Sequence, residues 1–346
     1  MKPAVYLHHA RGATPMGWLL GIAILFTGCL FLDLLPGSVT TAQGADGRYT
    51  GKQGEIIVIK VPIDDSAIRV QGKFLGRSIS FFPDTRREEP KGFIGLLGID
   101  FQDEPGTHEL LVELKTAEQN HTLRYSVVVV KEKFHVEHLT LPKDKVDLDE
   151  KSLARWKAEQ EQVKAALISD SSTKLWQAGF VEPVSGKRTG IFGSMRIMNG
   201  QARNPHNGED IGAPLGTAVA ATNDGVVRLI VDHIFSGKGV FLDHGLGFYS
   251  MYFHLSEVLV KDGDHVKAGQ IVGKVGATGR ATGPHLHWGV KLNGARVNPY
   301  ALLDLPFKGA VRSAASEPSG DPTSSVGAPA PYCRSVSALA IRKISG

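Results

Sequence analysis

The chain has 346 residues, 42% of them apolar, which is enough for more than one buried core and excludes a disordered or collagen-like polymer. A formal charge of +4, from 39 basic against 35 acidic residues, is that of an ordinary solvated surface. Nothing supports a nucleic-acid partner, because no run of interleaved basic and aromatic residues and no known binding module occurs.

Residues 1–45 read as an export segment. Behind Lys2 and Arg11, the stretch from Met16 to Leu32 is uninterrupted apolar or small, and Asp33 ends it. Its length lies between that of a signal-peptide core and that of a full membrane span. Thr40, Thr41 and Ala42 supply small residues for cleavage, so a cleaved signal and an anchor in the cytoplasmic membrane both stay open. Either one exports the rest of the chain, to the periplasm or the outer face of that membrane. Phe26 to Cys29 makes a poor lipoprotein box, since the apolar run continues past Cys29. The only two cysteines, Cys29 and Cys333, lie in the leader and in the tail. No disulfide can staple a core, and thiolate ligands and a cysteine nucleophile are removed from consideration.

Over 50–140 short β-rich segments (EIIVIKV, FIGLLGIDF, HELLVEL, LRYSVVVV) alternate with turn signals, which predicts an Ig-like β-sandwich domain. Its histidines, His108 and His121, are isolated, and His135 and His138 stand where a strand ends. Residues 147–170 are charged and alanine-rich. Leu153, Trp156, Val163 and Leu167 recur there at helical spacing, which predicts one linking helix whose narrow apolar stripe packs against a neighbouring domain. Residues 180–305 hold half of the 40 glycines between Gly186 and Gly294, among short apolar runs. That is the pattern of tight antiparallel hairpins and bulges. From 308 to 346 the tail is rich in Ser, Pro, Gly and Ala and of low complexity.

The chemistry lies in 180–305. His285 and His287 are two apart in HLHWGVKL, which reads as a strand, so both imidazoles point to one face. His206 and Asp210 are four apart in PHNGED, where Pro205 and Gly208 oppose a helix and favour a loop or strand entry. His254 stands in the aromatic strand MYFHLS. Four histidines and one aspartate suffice for a catalytic zinc, which takes three protein ligands and keeps a position for water. Two histidines are then left for proton handling. His233, His244 and His265 are expected to be structural or solvated, and Tyr252 and Trp288 to be core or groove wall.

Gly190 to Pro299 resembles the M23 zinc metallopeptidases of the lysostaphin and LytM type, which cut peptide bonds in bacterial peptidoglycan. The resemblance rests on PHNGEDIGAPLGTAVAATNDGVV, LDHGLGFYSMYFHLS, VKAGQIVGKVGATGRATGPHLHWGV and the closing VNPY, in the family's order. It implies a barrel-sandwich-hybrid β domain. It makes His206, Asp210 and His287 the ligands of one Zn²⁺ and places His254 and His285 as catalytic residues beside the open position. His285 is then the general base and His254 the stabiliser of a developing oxyanion, or the reverse. The implied partner is the peptide part of peptidoglycan, with the membrane added if the leader is retained. Two other readings compete: a non-catalytic wall-binding or hydrolase-activating module with a retained zinc site, and a carrier domain of the kind VKAGQIVGKVG suggests. The first leaves two histidines unused, and the second lacks the methionine-flanked lysine that a biotinyl carrier needs.

Overall fold

The computed structural model describes residues 47–62, 67–85, 92–140, 148–168, 171, 173–177 and 179–307. The leader, the low-complexity tail and both cysteines lie outside the described residues. Among the described residues no helix is long and apolar enough to cross a membrane.

Seven strands open the fold: β1 (Arg48–Lys52), β2 (Ile56–Pro62), β3 (Ala67–Phe74), β4 (Arg77–Pro83), β5 (Gly92–Gly98), β6 (Gly106–Thr116) and β7 (Asn120–Val130). They follow the order β1-β7-β6-β3-β4-β5-β2, with β1 parallel to β7 and the other pairs antiparallel. Strand β4 turns the corner between two layers. Its first half pairs with β3 through Arg77 to Ser80, and its second half pairs with β5 through Phe81 to Pro83. The ribbon therefore closes into the expected sandwich over a core that includes Tyr49, Ile57, Ile59, Phe74, Leu97, Leu110 and Val127.

The second layer of this sandwich is covered twice. Ile57 and Ile59 of β2 point into the sandwich core, while Ile56 and Val58, with Ile94 and Leu96 of β5, enter a second core shared with the C-terminal sheet. A strand buried on both faces has no polar side to show, which is why EIIVIKV is almost continuously apolar. The seam is polar as well as apolar. Asp100 takes two bonds from the Arg296 guanidinium, at 2.9 and 2.8 Å, and one from its backbone N–H. Asn293 donates to the Leu96 carbonyl at 2.8 Å.

Next come β8 (Val136–Leu139), helix α1 (Glu150–Ala166), β9 (Lys187–Gly190), β10 (Met195–Met198) and β11 (Gln201–Ala202). β10 joins β11 on one side and β8, in parallel, on the other. Asp149 caps α1 by accepting the Ser152 N–H at 2.7 Å. The helix departs from expectation in how it docks. Its one buried residue is Glu159, and Leu153 and Trp156 face an open cleft rather than a core. The carboxylate of Glu159 accepts the Ile234 N–H and the Arg155 guanidinium, and Arg155 also donates to the Asp232 carbonyl. Polar bonds to the end of a neighbouring hairpin, not the apolar stripe, hold α1.

The remaining strands are β12 (Gly208–Gly212), β13 (Ala218–Ala220), β14 (Gly225–His233), β15 (Gly237–Gly245), β16 (Phe248–Val258), β17 (His265–Val266), β18 (Ile271–Val275), β19 (His285–Leu292) and β20 (Ala295–Val297). They form an antiparallel, barrel-like sheet ordered β17-β14-β15-β16-β19-β12-β9. β18 pairs with β16 and β13, and β20 pairs with β19. The chain is thus mainly β, with one described α-helix between a sandwich and this sheet.

Candidate metal centre and its cleft

Asp210 on β12 stands directly opposite His287 on β19, so the side chains of this cross-strand pair meet on one face. Gly208 allows that approach, because a Cβ there would come within 2.6 Å of His287 Nε2 and 2.5 Å of the Trp288 carbonyl. His206 arrives from the loop ahead of β12, its N–H bonded to the Ser194 carbonyl and its own carbonyl to the Gly193 N–H. Three atoms converge as a result. His206 Nε2 lies 3.0 Å from both Asp210 Oδ1 and His287 Nδ1, and the last two are 2.8 Å apart. Among the described residues this is the group of buried His, Cys, Asp or Glu side chains close enough together to hold a metal ion.

The donor set suits a cation at that point. His206 Nδ1 donates to the Ile191 carbonyl at 3.1 Å, which leaves Nε2 as the ring nitrogen turned toward Asp210. Burial pushes the Asp210 carboxyl up, but the imidazoles of His206 and His287 more than reverse this and hold it well below the usual carboxylate range. Burial lowers His287 to about 4 in spite of Asp210, so its imidazole is neutral at pH 7. Two imidazole nitrogens and one carboxylate oxygen fit a borderline divalent metal. The outer oxygen of Asp210 accepts Arg196 Nη2 at 2.8 Å, and Arg196 is paired in turn with Glu137 at 3.2 Å.

His254 and His285 stand beside this group, their rings 4.6 Å apart. Each has its Nδ1 proton committed: His254 donates to the Thr278 carbonyl at 2.8 Å and His285 to the Gly283 carbonyl at 2.9 Å. Nε2 is therefore the nitrogen each ring has left for a reacting group. Burial lowers His254 to about 3, helped by His287 and His285. A bulge aims His254. Gly239 of β15 lies opposite both Phe253 and His254, between the Val240–Tyr252 and Lys238–Leu255 pairs. There β16 leaves β19 for β18, and His254 takes a left-handed backbone (φ 61°).

All five predicted site residues are thus brought together. The other described histidines are apart from this cluster. His244 is fully buried between the Asp224 carbonyl and Ser250, and burial lowers it to about 4. His233 bonds Gln162 of α1, and His265 is exposed. Tyr252 and Trp288 are core residues. The sequence reading missed Arg196, Glu137, Thr278 and Arg280. No spacing could have marked the first two, since they meet only through the parallel pairing of β8 with β10. The cleft in front of the cluster has a volume of about 920 Å³ and is walled by α1 on one side and β16 and β19 on the other.

Comparison with known proteins agrees with this geometry. Residues 204–299 match the model of peptidase family M23. The peptidoglycan DD-endopeptidase ShyA of Vibrio cholerae is 46% identical over 94 residues, 27% of this chain and 22% of the relative. The DD-carboxypeptidase/endopeptidase Mpg of Neisseria meningitidis is 41% identical over 97 residues, 28% of this chain and 22% of the relative. The chain therefore spans only about a fifth of the length of these curated relatives. A solved structure of a candidate M23 peptidase from Pseudomonas aeruginosa is similar over a longer stretch, 73% of this chain and 94% of that one, with 33% identity and a TM-score of 0.53. With the family pattern on the strands that build the cluster and that relative matched almost end to end, this chain belongs to peptidase family M23.

Proposed function

We propose that the chain is an exported zinc-dependent endopeptidase of the cell envelope that hydrolyses the peptide cross-links of bacterial peptidoglycan. In this reading His206, Asp210 and His287 are the zinc ligands, His254 and His285 the catalytic residues, and 180–305 the catalytic domain. The observation that carries it is the pairing of a converging His/Asp/His set with two further histidines whose Nδ1 protons are tied to carbonyls. The names of the Vibrio relatives supply the substrate class. Residues 1–45, read as a signal or anchor, supply the route to it.

When bound, the metal supplies Lewis acidity, polarising a peptide carbonyl and bringing the pKa of water toward neutrality. Arg196 holds the outer oxygen of Asp210, which fixes the direction of Oδ1. His285 Nε2 takes the proton of the attacking water as general base and returns it to the leaving amine. His254 Nε2 accepts a hydrogen bond while neutral, so it donates to an oxyanion only after it has gained a proton. A non-catalytic module kept for stability has no use for two histidines held in this way.

The test is digestion of purified peptidoglycan by the full chain, with released peptides identified by mass spectrometry and metal content measured. Peptide release with stoichiometric zinc, lost with chelator and restored by zinc, is expected. His285→Ala should keep its zinc and lose roughly 10²- to 10⁴-fold in rate. Wild-type chain that carries zinc and releases nothing from several cross-link types would sink the reading.

A further inference from the structure

Four guanidiniums, Arg196, Arg203, Arg280 and Arg296, line the cleft with His206, His254 and His287. Three are engaged by the protein, Arg296 through Asp100 at 2.8 Å. Arg196 holds Asp210 and Glu137, and Arg203 donates to Gln201 Oε1 at 2.6 Å. Arg280 differs, because among the described residues no carboxylate lies within ion-pair distance of it. Other partly buried guanidiniums of this chain do have such a partner: Arg77 with Asp103, Arg188 with Glu209 and Arg296 with Asp100. A half-buried cation without a counter-charge is unfavourable, and the like charges of Arg196 and Arg203 make it more so. Burial and those two neighbours lower its pKa accordingly.

The arm is also fixed in place. Its guanidinium carbon rests 4.1 Å from the centre of the Phe235 ring, and the backbone N–H of Arg280 donates to the Phe235 carbonyl at 2.8 Å. Gly279 before it has φ 70° and packs so closely on Gly237 that a Cβ would come within 2.4 Å of the Gly237 nitrogen. The same loop gives the Thr278 carbonyl to His254 and the Gly283 carbonyl to His285. Arg280 is therefore rooted between the two groups that orient the histidines, on a stacked, pre-organised guanidinium whose donor edge is the kind that takes a carboxylate in two parallel bonds. Among the described residues nothing supplies its counter-charge, and its donor edge faces the cleft in which a substrate would lie.

We propose that Arg280 is a specificity-determining residue that binds a carboxylate of the peptide substrate beside the scissile bond. This rests on the peptidase reading above and gives that site a substrate feature. The carboxylate has two possible sources, the free end of a peptide chain and the second carboxyl of a branched diamino acid.

Two pairs of labelled cross-linked peptides separate these sources. One pair differs only in a free or amidated chain end, the other only in a free or amidated diamino-acid carboxyl. All carry an N-methylated cross-link amide to prevent turnover, and binding to the zinc-loaded full chain is measured at equilibrium. One acid form should bind at least about tenfold tighter than its amide, as a charge-assisted bond allows, and that pair names the source. Arg280→Gln should bring the acid-to-amide ratio to about one while leaving amide binding unchanged, and Arg280→Lys should restore part of it. A structural role would weaken both forms equally. Acid and amide forms that bind wild type equally in both pairs overturn the proposal without recourse to any variant. So does a discrimination that survives in R280Q. Peptide release from the cell wall is scored separately. A chain that discriminates but releases nothing refutes the peptidase reading and leaves the carboxylate site, and a chain that releases peptides without discriminating does the reverse.

Discussion

At position 254 an imidazole is carried on a left-handed backbone, a conformation that costs a residue with a Cβ about 1–2 kcal/mol. Glycine would occupy it freely, so the strain is retained with the side chain. His254→Ala keeps the backbone penalty and loses the bond to Thr278, whereas His254→Gly loses the bond and relieves the penalty. H254G is expected to be more stable than H254A by about 1 kcal/mol in urea unfolding, with both variants inactive on cell wall. Equal stability of the two would mean that the bulge, not the residue, sets the backbone there. The imidazole was legible in the sequence as part of an aromatic strand, but its aim was not. The aim comes from a two-against-one mismatch with Gly239 that no local pattern records.

Among the elements, β19 was the easiest to read, because period-two spacing alone puts His285 and His287 on one face. Helix α1 was read correctly as a helix and wrongly as a packing surface. Apolar residues at Leu153, Trp156 and Val163 look the same in sequence whether they face a core or a cleft, and the buried anchor is an acid, Glu159. That anchor is open to test. Glu159→Ala removes the acceptor of the Ile234 N–H and of Arg155, so amide exchange across 150–166 and at Ile234 should accelerate while the melting temperature changes little. Unchanged exchange in α1 would show that the cleft-facing residues hold the helix after all.

Across the whole molecule the least legible feature was the sharing of β2 and β5 between two cores. Their sequences report burial on both faces but not the partner, which lies some two hundred residues away in β19 and β20. The polar seam there makes stability depend on pH. Burial pushes the Asp100 carboxyl up, and Arg296 with nearby backbone N–H groups more than reverses this, so its folded pKa lies below the usual value. The unfolded chain then takes up this proton first on acidification. The contribution of the pair is full above about pH 4, the ordinary carboxylate pKa, and fades as pH falls toward the folded value. Arg296→Met should lower stability near neutrality, and the gap from wild type should narrow as urea unfolding is repeated at successively lower pH below about 4. A gap that stays constant with pH would assign the effect of Arg296 to packing.

The double cover on β2 and β5 also separates two lengths of chain that sequence comparison treats as one. The family pattern begins just ahead of β12, but the surface behind β19 and β20 is dry only because Ile56, Val58, Ile94 and Leu96 lie on it. A fragment cut to the family pattern would carry that surface bare, as an apolar patch of the kind that drives self-association. The stretch that identifies the protein is therefore shorter than the stretch that can remain dispersed in water.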